Sequence, residues 1–323
     1  MNKEILQKRI LLANLPTPVQ KTELNGCKFY IKRDDLTGLE TSGNKVRKLE
    51  YLLYKAKKDK VDYVFTRGGD QSNHCRATVA AATSCGIKSK VFLWGSDSKN
   101  ADGNLFFNKL YGAETEYFNL KEYKNIQEIM SKQAAEYEKK KKKVLVIPEG
   151  GSSEIGILGY VNFIPEFYEQ VEINKFKGIL TAAGSGGTAA GLLAGTELFN
   201  IPLKIYAVNV FLTGPEMKER IIMLANKTLQ LLDPKLKVNE KRIEVFGDYS
   251  TEGYKSISDD KLVLIKQFAR QTGIVLDPAY TGKAFKAYAD NFLKPGTTSK
   301  VLFLHTGGLF GVFPKRQQYL AVK

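Results

Sequence analysis

An α/β fold, with mostly parallel sheets flanked by helices, is what this 323-residue chain predicts. Six apolar runs read as strands, at 61–65, 90–94, 144–147, 179–183, 205–210 and 301–305, and amphipathic helical patterns separate them. That alternation marks βαβ units, which lay strands side by side and put helices on both faces. Several of the runs end in glycine and hydroxyl residues just before a helical pattern, the place where open α/β sheets hold ligands. With 43% hydrophobic residues the chain can bury one large core or two modest ones. No internal repeat or long linker interrupts the pattern.

The first chemically informative element is Thr41-Ser42-Gly43-Asn44-Lys45-Val46-Arg47-Lys48-Leu49-Glu50. Leu49, Leu52 and Leu53 fall on one helical face, so a helix starts near Asn44, with Ser42 or Asn44 as its expected N-cap. Lys45 then sits at the positive end of a helix dipole, which disfavours an ammonium. Partial burial would lower its pKa further, as an amine nucleophile requires. A lone Gly-Asn-Lys is more often a surface turn; its company along the chain changes that balance.

The run 61–65 leads into Thr66-Arg67-Gly68-Gly69-Asp70-Gln71-Ser72-Asn73-His74-Cys75-Arg76, followed by a small-residue helical stretch from Ala77. A capping role for Ser72 or Asn73 explains one or two of the four polar side chains in a row, not all. Further on, Ile179–Ala183 runs into Gly184-Ser185-Gly186-Gly187-Thr188 and a helix, a turn whose backbone N–H groups suit an anion. It formally fits the dinucleotide pattern G-x-G-x-x-A, but the next strand ends on Asn209 and not on a ribose-binding acid, so a single phosphate is the better match. Near the C-terminus, Ile274-Val275-Leu276 reads as another strand before Asp277-Pro278-Ala279-Tyr280-Thr281. The run 301–305 ends in Thr306-Gly307-Gly308. Either could be ordinary turn chemistry.

Taken in order, the five motifs resemble the fold type II pyridoxal-phosphate (PLP) enzymes, a tryptophan synthase β-like group. Within it they resemble the branch of D-cysteine desulfhydrase and 1-aminocyclopropane-1-carboxylate (ACC) deaminase. The likeness runs from Pro16-Thr17-Pro18 through Lys32-Arg33-Asp34-Asp35 and Gly43–Glu50 to Gly307-Gly308, nearly the whole chain. It implies two open twisted sheets, with pyridoxal 5'-phosphate in the cleft between a larger domain (1–48 and 161–323) and a smaller one (49–160). It also implies that Lys45 binds the cofactor covalently and shuttles protons. Ser185, Gly186, Gly187 and Thr188, with Lys48, would hold the phosphate. Asn73 would bond the ring hydroxyl, and Thr306 would face the pyridine nitrogen. Ser72 and His74 would contact the substrate carboxylate or its reacting atoms, with Asn73 beside them. Tyr280 would be the acid–base candidate, next to Tyr254 and Thr281. Lys45 or Tyr280 would take the Cα proton, which requires a lowered pKa.

Within the branch, ACC deaminases carry glutamate after the active-site tyrosine, where this chain has Thr281. They have Gln in place of His74 and Leu in place of Thr306. All three positions match the desulfhydrase pattern, so the expected reaction is β-elimination from D-cysteine to pyruvate, ammonia and sulfide. ACC, cysteate, β-chloroalanine and serine derivatives are the alternatives. Ser42, Asp70 and the stretch Lys255–Ser258 depart from the family pattern, the last where substrates are selected.

Composition narrows the remaining classes. Only two histidines occur, His74 and His305, both inside motifs, which removes most zinc and Ser-His-Asp readings. Three cysteines, Cys27, Cys75 and Cys85, lack metal or redox spacing and predict a reducing cytosol. No signal-like or membrane-spanning apolar run is evident. The net charge of +15 and the run Lys139–Lys143 raise nucleic-acid binding. Lysines at a helix end, favoured by the dipole, are the plainer account, and no nucleic-acid partner is expected. A homodimer acting on a small amino acid is.

Overall fold

The computed structural model describes residues 2–322. Its strands are β1 (Val19–Leu24), β2 (Cys27–Arg33), β3 (Tyr63–Gly69), β4 (Lys88–Trp94), β5 (Glu114–Phe118), β6 (Val144–Val146), β7 (Gly178–Ala183), β8 (Lys204–Asn209), β9 (Ile243–Phe246) and β10 (Thr298–His305). They form a six-stranded sheet, ordered β1-β2-β10-β7-β8-β9, and a four-stranded sheet, ordered β5-β4-β3-β6. Every pairing is parallel except β1 with β2.

All six expected runs become strands. The β1–β2 hairpin was not read, because Val-Gln-Lys-Thr-Glu-Leu is too polar to stand out. Its signal was the Asn25-Gly26 dipeptide, whose φ values of 49° and 76° make the two-residue turn that right-twisted strands favour. The polar edge strand β5 and the short β9 also went unread. In the other direction, Ile274–Leu276 joins neither sheet. Its backbone groups are taken by side chains instead: His305 Nε2 donates to Val275 O at 3.0 Å, and Tyr319 Oη to Leu276 O at 3.2 Å. Ile274 and Leu276 still bury their side chains, which is why the run looks like a strand.

β7 is buried along its whole length, as a central parallel strand covered on both faces must be. Its alternate residues serve opposite cores. Ile179, with Leu302 and Leu304, packs under the helices Gly187–Leu198 and Gly214–Leu232. Leu180, with Phe303, packs under Asp259–Thr272 and Thr281–Phe292. The small sheet is covered in the same way, by α1 (Asn44–Lys58) and α2 (Asn73–Ser84) through Leu49, Leu53, Ala77 and Ala81. On its other face Phe65, Phe92 and Met130 pack together. A further helix, α3 (Gly103–Leu110), packs on α2 through Leu105 beside Cys75 and Val79. The sequence division at 48/49 falls inside α1, which spans from the cleft to the small-sheet core. The lysine run forms the exposed end of the helix Ile126–Lys139 and the turn beyond it. Among the described residues no helix is long and apolar enough to cross a membrane.

Candidate active site

The C-terminal ends of β3, β7 and β10 open on one cleft of about 190 Å³. The sequence around Lys45 folds as it does because of a backbone approach only glycine permits. Gly43, at φ 100°, is the N-cap of α1, and a Cβ there would lie 2.6 Å from Thr306 O. Asn44 N–H donates to that same carbonyl at 3.1 Å. Two motifs more than 250 residues apart are thereby locked together. The expected side-chain cap is absent: neither Ser42 nor Asn44 bonds the free amides of α1. Thr37 Oγ1 instead accepts from Gly43 N–H at 2.8 Å. The Asn44 side chain turns to the glycine-rich unit, donating to Thr188 Oγ1 at 2.8 Å and accepting from Lys45 Nζ at 2.9 Å.

Lys45 lines the cleft with its pKa lowered from 10.5 to about 8. Desolvation is the main cause; Arg76 adds to it, and Asp277 and Glu149 oppose it. Its Nζ lies 5.8 Å from the Tyr280 ring centroid. Tyr280 and Tyr254 share a 2.7 Å Oη–Oη hydrogen bond. Burial holds both phenols above their ordinary 10.0. A lowered pKa was expected of whichever residue acts as base; Lys45 has it, whereas Tyr280 is shifted the other way, chiefly by burial, with the Tyr254 phenol, Glu149 and Asp277 adding to it.

The turn after β7 lies beside Lys48. Gly186 takes φ 80°, and a Cβ on Gly187 would meet Lys48 Nζ at 2.7 Å and Ser152 Oγ at 2.1 Å. Lys48 sits behind the cleft wall and donates to Gly150 O and Ser152 Oγ, each at 3.1 Å. Ser152 Oγ in turn bonds Ser185 Oγ at 2.7 Å. Burial, with Lys45 and Arg220 nearby, holds Lys48 well below 10.5. Arg220 Nε donates to Ser185 O at 3.0 Å. Lys45, Lys48, Arg220 and a helix N-terminus thus gather at one turn, none of the three in salt-bridge contact with a carboxylate among the described residues although Glu149 lines the same cleft, an environment that suits a phosphate dianion.

Ser72 caps α2, accepting from Cys75 N–H at 3.2 Å. By position, the N–H groups of Asn73 and His74 have no acceptor within the helix. The His74 ring is engaged inside the protein: Nε2 bonds Thr66 Oγ1 at 2.8 Å, and Nδ1 bonds Thr78 Oγ1 at 3.4 Å. Thr66 gives its own proton to Ile147 O, so Nε2 is the donor. Burial, with Lys45 and Lys48, keeps its pKa well below 6.5. The His74 ring is therefore held by hydroxyls inside the protein and is not poised to titrate near neutrality.

Of the expected site residues, Lys45, Ser72, Asn73, His74, Ser185, Gly186, Gly187, Thr188, Tyr254, Tyr280 and Thr306 line the cleft together. Thr281 does not. It is fully buried, with Oγ1 donating to Asp277 Oδ1 and accepting from Asp277 N–H, both at 2.7 Å. An expected substrate contact is thus a helix-start clasp, because the position after Tyr280 faces the opposite side of the first turn. Sequence reading missed Asn44, Arg67, Glu149, Gly150, Phe211 and Arg220 as lining residues. Glu149-Gly150-Gly151 follows β6, and the same strand-then-glycine signal used elsewhere would have found it. Arg220 lies mid-helix, and its sequence surroundings do not mark it.

The residues present fit pyridoxal phosphate. A buried amine poised to be neutral stands beside an anion turn that a Cβ would fill, and the Thr306 hydroxyl makes no hydrogen bond among the described residues. The comparisons agree. The model of a family described as "pyridoxal-phosphate dependent enzyme" matches residues 10–307. A putative ACC deaminase of Thermotoga maritima is 41% identical over 315 residues, covering 96% of this chain and 99% of the relative. The bifunctional mitochondrial D-cysteine desulfhydrase/ACC deaminase of Arabidopsis thaliana is 36% identical, covering 95% and 80%. A crystal structure of an ACC deaminase homologue superposes with a TM-score of 0.88 at 36% identity, over the whole of both chains. The chain belongs to the pyridoxal-phosphate-dependent enzyme family, on the lyase branch whose members bear the names ACC deaminase and D-cysteine desulfhydrase.

Proposed function

We propose that this protein catalyses β-elimination from D-cysteine, which with one water gives pyruvate, ammonia and hydrogen sulfide. The observation that carries the reading is one lysine, held at about 8, facing a tyrosine pair kept protonated in the same cleft. Proton acceptor and donor are thereby assigned by environment.

In this reading Ser185 to Thr188, Lys48 and Arg220 hold the phosphate, Asn73 bonds the ring oxygen and Thr306 faces the ring nitrogen. When bound, the cofactor supplies the electron sink that makes the substrate Cα–H acidic. A hydroxyl at the ring nitrogen gives a milder sink than a carboxylic acid would, which favours elimination over transamination. The substrate carboxylate rests on the Asn73 and His74 N–H groups at the start of α2, with Ser72 at its edge. Lys45 takes the Cα proton. Tyr280 gives its proton to the departing sulfur as the C–S bond breaks, and Tyr254 holds Tyr280 in place.

The second reading, ACC deamination, is favoured by the 41% identity to a relative of that name. Sulfide release from D-cysteine, L-cysteine and cysteate, run beside pyruvate release from ACC, separates the two. Sulfide from D-cysteine with no product from ACC is expected; ACC turnover without sulfide overturns the reading. We also propose, from the family resemblance, a cytoplasmic homodimer without a nucleic-acid partner. Sedimentation at micromolar concentration tests the assembly.

A further inference from the structure

We infer that Asn104, on α3, is a positioning residue: with Arg76 it fixes which end of the Asn73 amide faces the cleft. The side chains of Arg76 and Asn104 are fully buried. Arg76 Nε donates to Asn104 Oδ1 at 3.1 Å. Asn104 Nδ2 donates to Gln71 O at 3.0 Å and to Asn73 Oδ1 at 2.9 Å. Asn104 N–H is held in turn by Gln71 Oε1 at 3.0 Å.

Each end of this chain of bonds has only one possible polarity. A guanidinium donates and never accepts, so the Asn104 atom beside it is the oxygen. A backbone carbonyl accepts and never donates, so the Asn104 atom beside Gln71 O is the nitrogen. Turning the Asn104 amide over would set donor against donor and carbonyl against carbonyl, both buried. The second N–H of Asn104 must then find an acceptor, and it finds Asn73 Oδ1. That leaves Asn73 Nδ2 as the group facing the cleft, which Asn73 lines. Asn73 is thus set as a donor.

Arg76 is itself anchored, over the Phe310 ring at 5.0 Å and by donation to the carbonyls of Glu40 and Ser42. Those carbonyls lie just ahead of Lys45. The same guanidinium therefore registers the loop carrying the amine and the amide that meets the ring. A ring oxygen that carries negative charge needs a donor, so the relay sets the one amide orientation that favours it. This inference rests on the proposed contact between Asn73 and the cofactor ring.

The test compares wild-type holoenzyme with Asn104→Asp, Asn73→Ala and the double variant. Cofactor affinity and the visible absorption band are the readouts, with thermal unfolding of the cofactor-free forms as a control. In Asn104→Asp the carboxylate keeps Arg76 but offers Asn73 no donor. The Asn73 amide turns to donate to it and presents its oxygen to the cleft. Cofactor affinity is expected to fall about tenfold, and the band to move from the visible towards the near ultraviolet as the ring oxygen retains its own proton. Asn73→Ala should do the same, and the double variant no more than either.

A wild-type band and affinity in Asn104→Asp, with Asn73→Ala altered, overturns the relay and leaves the Asn73 contact standing. An unaltered Asn73→Ala overturns the contact itself. A loss of thermal stability in Asn104→Asp with unchanged affinity and band would show a packing role only, and overturns the inference. Should Asn104→Asp fail to fold, Asn104→Ala replaces it: a partial band shift is expected, and a wild-type band overturns the proposal.

Discussion

Replacing Lys45 by methionine is expected to abolish turnover and yet stabilise the cofactor-free protein at neutral pH. Burial lowers Lys45 from 10.5 to about 8 in the folded state. Between those two values the unfolded chain binds more protons than the folded one, so wild-type stability rises with pH across that window. Below about pH 8 the full penalty is in force; above pH 10.5 it has vanished. At about 1.4 kcal/mol per pH unit, the gap corresponds to about 3 kcal/mol. Lys45 keeps some contact with water in the cleft, so this is an upper bound. Methionine has a comparable length, no charge and a flexible chain that fills the same channel. Urea unfolding of cofactor-stripped wild type and Lys45→Met at pH 7 and near pH 10.5 measures the effect. The variant should be more stable by about 1–3 kcal/mol at pH 7, with the difference shrinking towards zero at the higher pH. Because only the difference is read, other titrating groups cancel. A gain equal at both pH values, or none at pH 7, would refute the assignment of a desolvated, catalytically poised amine.

Recombination of the stripped protein with pyridoxal phosphate should speed up with pH and level off above a midpoint near about 8, since the neutral amine is the nucleophile. A midpoint close to the free-lysine value would show a solvated side chain. Tyr280→Phe should lower kcat on D-cysteine about 100-fold with little change in KM. It should slow β-chloro-D-alanine far less, because chloride departs without a proton; equal losses on the two substrates would contradict a proton-donor role. Thr281→Val removes the two hydroxyl bonds to Asp277 at nearly constant volume and should destabilise the fold by about 1–3 kcal/mol while leaving substrate preference intact. A changed ratio of D-cysteine to ACC turnover at wild-type stability would return Thr281 to the substrate site.

Much of the site was legible because its motifs sit at strand ends, and strand ends are where the fold gathers ligands. Lys45 and the 184–188 turn stood out in local residue order, whereas Tyr280 was marked only by the family resemblance. Capping could not be read that way. Ser42 and Asn44 are both good cap residues in isolation, but the approach of Thr306 to Gly43 leaves the amide of Asn44 bonded to that carbonyl. The direction of Thr281 was invisible for a similar reason: which way the first turn of a helix faces depends on what packs behind it, here Asp277. Arg220 reaches the cleft across a helix interface, and no neighbour in the sequence announces it.

What the residues alone determined is the chemistry on offer: an amine at a helix start, an anion turn, a tyrosine, and parallel strands to present them. Those follow from backbone conformational preference and hydrophobic period, which are local. Only the tertiary structure decided which way these groups' pKa values shift, because desolvation and neighbouring charge are sums over distant parts of the chain. They lower Lys45, raise Tyr280 and keep the His74 ring neutral. In the proposed reading, the choice of proton acceptor and donor therefore resides in the packing, and the inventory of groups that could play those parts in the sequence.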